Sequence, residues 1–376
     1  MKKIKVLQII SSLGDGGAET LVKDYCSYLD KNLFDVKIVV VQNVKNTANY
    51  RRINNINIEI IPIFRNYNLF SRLTRVFLGE IVIPARLKRI IAKEKPDIIH
   101  IHLPILRYFF SLDLTGISIF YTCHNLPKLM FKGKRAKEYA TAKRLLNSFN
   151  FQIIALHKAM ANEINELFGI KNTPIVYNGV DISKFRNIKK SKIEIRSENN
   201  IDENCFLIGH IGRFVEAKNH FFILDIFAKA FSQNTNTRLL LIGSGPLKQK
   251  VETEAKNLGL ESYIYWFEHR KDINELLKAM DVFLFPSLYE GFPVTLIEAQ
   301  ASGLRCVVSN TVTSEAVLLK TTRVLSLDST ADEWAEALFD QDCVKSNTDS
   351  IDSFDMKNKI IDLEKLYLES IHYDIK

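Results

Sequence analysis

The chain has 376 residues, 47% of them hydrophobic and 25% charged, which is ordinary for a globular protein and enough for two domains. Its five cysteines (Cys26, Cys123, Cys205, Cys306 and Cys343) are scattered without C-x-x-C spacing, which argues against a disulfide framework or a structural zinc site and for reduced thiols in the cytoplasm. The net charge of +8 is uneven: residues 1–190 carry 31 Lys and Arg against 14 Asp and Glu, net +17, and the remainder carries 20 against 29, net −9.

In chain order, an apolar run at 6–10 stops at Ser11-Ser12, too short for a signal-peptide core, and reads as a first strand. Gly14-Asp15-Gly16-Gly17 then leads into a helical pattern with Leu21, Tyr25, Tyr28 and Leu29 on one face. Strands are predicted at 36–41, 97–102, 117–123 and 151–156, and residues 175–177 run into the turn Asn178-Gly179-Val180-Asp181. Continuous apolar strands alternating with helical segments predict a parallel sheet covered on both faces. Residues 182–200, rich in Lys, Ser and Asn, read as an interdomain linker. Strands resume at 206–211, 239–242, 263–267, 282–285 and 306–308. A terminal amphipathic helix over 355–371 carries Met356, Ile360, Leu363, Leu366, Tyr367 and Ile371 at helical spacing. The fold class is therefore α/β: a doubly wound domain over 1–181, a linker over 182–200, a second doubly wound domain over 201–354, and a terminal segment over 355–376, with a cleft between the domains. No segment reaches the roughly 18 apolar residues that span a bilayer.

The densest chemistry lies in Pro286-Ser287-Leu288-Tyr289-Glu290-Gly291-Phe292-Pro293-Val294-Thr295-Leu296-Ile297-Glu298. A strand ends at Phe285, and Pro293 suits the first position of a helix, where an amide would be orphaned anyway. The free amides of Val294 and Thr295 then attract phosphate, together with the helix dipole. Glu290 precedes this anion site, where a carboxylate repels phosphate but accepts hydrogen bonds from sugar hydroxyls. Glu298, in the second helical turn, reaches a diol such as ribose. A second cluster, Gly212-Arg213-Phe214-Val215-Glu216-Ala217-Lys218-Asn219, follows the strand at 206–211, where open α/β sheets bind ligands. Arg213 offers a planar fork and Lys218 a compact charge. Together they suit a diphosphate leaving group, whose charge grows as a glycosidic bond breaks.

Weaker signals surround these two clusters. Gly16 and Gly17 let backbone approach a ligand, but the G-x-G-x-x-G spacing of a dinucleotide fingerprint is not met. His124, in Tyr121-Thr122-Cys123-His124-Asn125, is placed to position or polarise an acceptor hydroxyl, or is structural. His100 and His102 alternate on a strand with no third ligand and read as structural. Gly245 in Gly243-Ser244-Gly245-Pro246, and His269 and Arg270 after the strand at 263–267, line a nucleotide pocket or form plain turns. The D-x-D at Asp340-Gln341-Asp342 lies in a poorly patterned region, so no metal requirement is expected.

These elements, in this order, resemble the family 4 retaining glycosyltransferases of the GT-B fold. The resemblance covers nearly the whole chain: Gly-Gly-Ala-Glu at 16–19, Asn-Gly-Val-Asp at 178–181, Gly-Arg-x4-Lys-Asn at 212–219, and Pro-Ser-x-x-Glu-Gly-Phe-Pro through to Glu298. Within the family the chain is most similar to bacterial capsule, exopolysaccharide or O-antigen enzymes that extend lipid-linked oligosaccharides. The resemblance implies two Rossmann-like domains facing a cleft, the second holding a nucleotide sugar, with the terminal helix crossing back onto the first. It matches Arg213 and Lys218 to the diphosphate-binding pair, Glu290 to the acid on the donor sugar and Glu298 to the acid on the ribose. Gly17 matches a loop glycine near the diphosphate, and His124 a histidine near the acceptor. It further implies retention of anomeric configuration, with the leaving diphosphate helping to take the acceptor proton. Two positions depart from the pattern: Glu268 stands where glycine is common, which bears on the base pocket, and Arg305 where proline is common.

The expectation is a metal-independent hexosyl- or N-acetylhexosaminyltransferase with no cofactor beyond its UDP-sugar donor. Its acceptor would be a polyisoprenyl-diphosphate-linked saccharide at the inner face of the cytoplasmic membrane. Cations alternate with apolar residues over 71–77 and 86–95, which fits peripheral contact with anionic lipid; solvated lysines from an AT-rich coding bias fit equally. The alternatives are a sugar-nucleotide epimerase of the same architecture and a non-catalytic partner of an active transferase. Glu290 and Glu298 together with Arg213 and Lys218 argue against both. Nucleic-acid binding has no reading motif to support it.

Overall fold

The computed structural model describes residues 2–14, 16–44, 47–64, 69–268, 270–340 and 349–372. The chain forms two compact units, one of Met1–Gly179 with Met356–Lys376, the other of Val180–Asp355.

In the first unit the described strands are β1 (Ile4–Ile10), β2 (Phe34–Gln42), β3 (Ile60–Phe64), β4 (Ile98–His102), β5 (Ser118–Thr122) and β6 (Phe151–Ile154). They pair in parallel in the order β3-β2-β1-β4-β5-β6. The second unit contains β7 (Phe206–Ile211), β8 (Thr237–Ile242), β9 (Ile264–Phe267), β10 (Val282–Phe285), β11 (Arg305–Ser309) and β12 (Thr322–Leu325), in the order β12-β11-β10-β7-β8-β9. Both are doubly wound α/β sheets with the same winding. Each has one reversal of strand order, between β1 and β4 and between β7 and β10, and that reversal is where such sheets open a crevice beyond their strand ends.

The central strands are apolar throughout because helices cover both faces. Val6, Ile10, Ile38, Val40 and Ile98 are buried in the first core, and Ile208, Leu239, Leu241, Val282 and Leu284 in the second. Burying one such side chain contributes about 1.5–3 kcal/mol. Two strands lie outside the sequence reading, and both are edges. β3 carries Pro62, which only an edge strand tolerates because it cannot donate to a ladder, and β12 is partly exposed and carries Thr322 and Arg323.

Residues 182–200 are not a linker. They form the helices Ser183–Arg186 and Lys192–Glu198 and belong to the second unit. Ser191 and Glu194 make a reciprocal capping box, whose S-x-x-E spacing the Lys- and Ser-rich composition conceals. Arg196 is buried and gives its guanidinium to the Ala279, Glu203 and Cys205 carbonyls at 2.8–2.9 Å and to Asp281 Oδ2 at 2.7 Å. Asp281 in turn accepts from the Leu207 amide at the start of β7, so this arginine fastens the segment to the sheet. Replacing it leaves three carbonyls without this donor and Asp281 with only Lys192 and the Leu207 amide. Arg196→Met is expected to destabilise the second unit by about 3–5 kcal/mol, read as a lowered urea midpoint.

The terminal helix, Met356–His372, belongs to the first unit, with Met356, Ile360, Leu363 and Tyr367 in that unit's core. Arg305 also has a specific task. Its guanidinium donates to the carbonyls of Ala337, Leu338 and Asp340 and so caps the C-terminal end of the helix Ala331–Phe339.

Candidate functional site

In the second unit, two loops leave the sheet side by side at the reversal point, one after β7 and one after β10. Backbone and side chain tie them together: the Leu288 amide donates to the Ala217 carbonyl at 2.8 Å, and Asn219 Nδ2 to the Pro286 carbonyl at 3.2 Å. This brings Lys218 and Glu290, 72 positions apart in sequence, into an ion pair of 2.6 Å. The pair is largely shielded, at 16% and 13% side-chain exposure. The Lys218 ammonium also lies 4.6 Å from the centre of the Phe285 ring, a cation–π seat the sequence reading did not single out. Arg213, by contrast, is exposed, and its guanidinium has no ion-pair or hydrogen-bond partner among the described residues.

Two glycines hold these loops at close range. A Cβ on Gly212 would come within 2.9 Å of His210 Nε2 and 3.1 Å of the Lys218 stem, so the bare position lets Lys218 lie across the loop. Gly245 sits where a Cβ would meet the Phe214 carbonyl at 2.5 Å and its amide nitrogen at 2.7 Å. Its smallness therefore serves the approach of one loop to another. Beneath them His210 and His220 are buried, with rings 4.9 Å apart, and His220 stacks on Phe214 at 4.1 Å. Burial pushes His220 down to about 3 and His210 well below the usual histidine range, so both are neutral.

The helix expected to begin at Pro293 spans Val294–Ala301, with Pro293 at its N-cap rather than in its first turn. The correction changes the donor inventory. The Val294 amide is taken by the Phe292 carbonyl at 3.0 Å in a tight turn, while the Thr295 amide has no acceptor among the described residues. Glu298 stands in the second turn, partly exposed. The Arg270 guanidinium is held by Asp272 and by Asn199 Oδ1 at 2.6 Å, and it stacks on Phe267 at 4.8 Å, which fastens this strand end. Glu268 reaches Lys248 at 2.8 Å. His269, and Gln341 and Asp342 of the D-x-D, lie outside the described residues.

In the first unit, Gly16 is the N-cap of the helix Gly17–Tyr28 and makes no side-chain cap. The Glu19 carboxylate folds back over it, so that a Cβ on Gly16 would meet Glu19 Oε2 at 2.5 Å. A Cβ on Gly17 would meet nothing within 4 Å; this glycine leaves open space. His124 follows β5 and is half-buried, with Nε2 3.0 Å from His102 Nδ1. Burial pushes it down to about 3, so it is neutral at ordinary pH. His102, His100, Gln8 and Tyr367 continue inward from it as a buried polar chain that the sequence shows only as alternation on β4.

Two doubly wound α/β units of the same winding are the GT-B fold. The chain belongs to the family 4 glycosyltransferases: residues 15–184 match the family described as Glycosyltransferase Family 4, and residues 191–340 match Glycosyl transferases group 1. It is 29% identical over 354 residues to the putative glycosyltransferase EpsF of Bacillus subtilis, covering 89% of this chain and 86% of that one. It is 27% identical over 235 residues, 60% of each chain, to the UDP-Gal:alpha-D-GlcNAc-diphosphoundecaprenol alpha-1,3-galactosyltransferase of Escherichia coli. Its fold matches the crystal structure of Anabaena Alr3699/HepE in complex with UDP and glucose at a TM-score of 0.79, with 18% identity, 97% of this chain and 100% of that one covered.

Proposed function

We propose that the chain is a retaining hexosyl- or N-acetylhexosaminyltransferase that moves a sugar from a UDP-sugar to a polyisoprenyl-diphosphate-linked saccharide during assembly of a bacterial surface polysaccharide. The observation that carries this reading is the Lys218–Glu290 pair, set beside the unpaired Arg213 at the carboxyl edge of β7 and β10. Arg213 and Lys218 hold the donor diphosphate, and the Thr295 amide adds a neutral donor at the helix start. Glu290 accepts hydrogen bonds from the donor sugar and Glu298 from the ribose. Gly17 gives the ligand room, and neutral His124 accepts a hydrogen bond from the acceptor hydroxyl. As the glycosidic bond breaks, negative charge grows on the diphosphate beside fixed cations, and the departing oxygen takes the acceptor proton on the same face. The E. coli relative's name pairs a UDP-sugar with a diphosphoundecaprenol-linked acceptor, which supports this choice of substrates.

The deciding experiment is a thermal-shift series with UDP-, GDP- and ADP-sugars, followed by transfer assays with the donor that binds. A ligand at 100 times its Kd stabilises the folded form by about 2.7 kcal/mol, so the preferred UDP-sugar is expected to raise the melting temperature by several degrees. Release of free or epimerised sugar without an acceptor would replace the transferase reading with the epimerase.

The acceptor proposal places the protein in the cytoplasm, on the inner face of the membrane. Among the described residues no helix is long and apolar enough to cross a membrane. The helix Leu69–Glu94 does leave Phe77 and Ile81 exposed, at 76% and 70%, with Lys88, Arg89 and Lys93 exposed further along. Apolar side chains beside cations suit an anionic lipid surface. The protein is expected to pellet with vesicles containing phosphatidylglycerol at low salt and to be released as salt rises; equal recovery on neutral vesicles would remove this surface role.

A further inference from the structure

The buried polar chain behind His124 has a direction. Gln8 on β1 pairs in register with His100 on β4, and His100 and His102 lie on the same face of β4, with ring centres 4.2 Å apart. Gln8 Oε1 lies 2.8 Å from His102 Nε2, and Gln8 Nε2 donates to Tyr367 Oη at 3.1 Å. An amide oxygen only accepts, so His102 carries its proton on Nε2. Its Nδ1 is then a bare acceptor, and His124, 3.0 Å away, must donate to it from Nε2. The other end of the chain agrees. Tyr367 receives the Gln8 amide and passes its own proton to His100 Nδ1 at 2.6 Å, leaving His100 Nε2 to donate to Thr122 Oγ1 at 2.7 Å. All three rings are thus neutral Nε2–H tautomers, and burial holds His100 and His102 well below the usual histidine range. His124 Nδ1 has no partner among the described residues and is not among the sealed, unsatisfied atoms, so it opens to solvent.

We infer that Gln8 and His102 are positioning residues that lock His124 in its Nε2–H tautomer and so present Nδ1 as a bare hydrogen-bond acceptor to the acceptor-substrate hydroxyl. The inference rests on the transferase reading for that hydroxyl, but the tautomer itself does not. A reversed Gln8 amide would reverse every bond as far as His124, put a proton on its Nδ1 and turn an acceptor into a donor. The amide therefore sets the polarity, and Tyr367 on the terminal helix holds the amide.

The test uses the full chain labelled with 15N-histidine, read by long-range 1H–15N correlation, with His124→Asn assigning the signals. Expected is a single Nε2–H tautomer for both His102 and His124. An Nδ1–H tautomer, or a mixture at His124, overturns the lock. Activity supplies the second arm. Gln8→Leu is expected to lower kcat about tenfold with the donor KM unchanged, while Gln8→Glu, which keeps an acceptor on His102, restores most of kcat. Equal loss in both variants, or a loss confined to donor KM, overturns the positioning role. If the wild-type chain transfers no sugar to any lipid-linked acceptor, the substrate role falls with the transferase reading, and the spectrum still decides the tautomer.

Discussion

Lys218→Ala is expected to lower the rate of sugar transfer by about 10²–10³-fold, the usual cost of removing one group that meets charge developing in a transition state. Two effects add. On the proposed assignment the cation beside the departing diphosphate is gone, and Glu290, which Lys218 holds at 2.6 Å, becomes an uncompensated carboxylate in a shielded place beside the same phosphates. The double variant Lys218→Ala/Glu290→Gln should therefore recover part of the donor affinity that the single variant loses, although not the rate. Glu290→Gln alone should depress transfer more than UDP binding, because on the proposed assignment its partner is the sugar. Initial rates and a UDP titration on the three variants separate these effects; transfer by Lys218→Ala within about twofold of the unaltered enzyme would remove Lys218 from the chemistry.

Acid should unfold this protein early. Five described histidines, His100, His102, His124, His210 and His220, are depressed by burial. In the unfolded chain each takes a proton near pH 6.5, whereas the folded protein refuses it until much lower, so the unfolded state binds more protons and stability falls as pH drops below about 6.5. For His124 and His220, both near 3 when folded, the loss by pH 5 is about 2 kcal/mol each. The other three act in the same direction. Glu138, which is buried, and Asp225, which is exposed but partly desolvated, are pushed up and oppose the trend, but they are two against five. Melting temperatures are expected to be flat from pH 8 to 7 and to fall steeply between pH 6.5 and 5. His220→Phe should soften that fall for the second unit, because a ring that stacks on Phe214 without hydrogen bonds loses only its proton site.

What could be read from the sequence followed from burial. Strands apolar on both faces, such as 206–211 and 282–285, announce themselves by composition, and the loops after them carry their chemistry in one short stretch. The edge strands β3 and β12 do not, because they need satisfy only one neighbour and carry proline or polar residues, whereas the opposite edges, β6 and β9, are apolar enough to be read. The segment at 182–200 misled for a related reason: Lys184 and Lys189 face solvent, and what anchors it, buried Arg196 with Lys190 on Glu275 and Lys192 on Asp281, works through partners up to 89 positions away. Arg213, Lys218, Glu290 and Glu298 were each visible as residue types at helix and strand ends. The contact between Lys218 and Glu290 was not, nor was the chain from His124 to Tyr367. The first is made by loops that leave neighbouring strands of one sheet, and the second by neighbouring strands together with the terminal helix, all distant in sequence.

The helix Met356–His372 also sets an order of maturation on the ribosome. The second unit is one continuous stretch, Val180–Asp355, and all of it emerges before the helix that completes the first core. The half of the chain made first is therefore the half finished last. Until that helix emerges, β1 and β2 lack the cover of Met356, Leu363 and Tyr367, and that waiting apolar surface is where a chaperone or an aggregate would take hold.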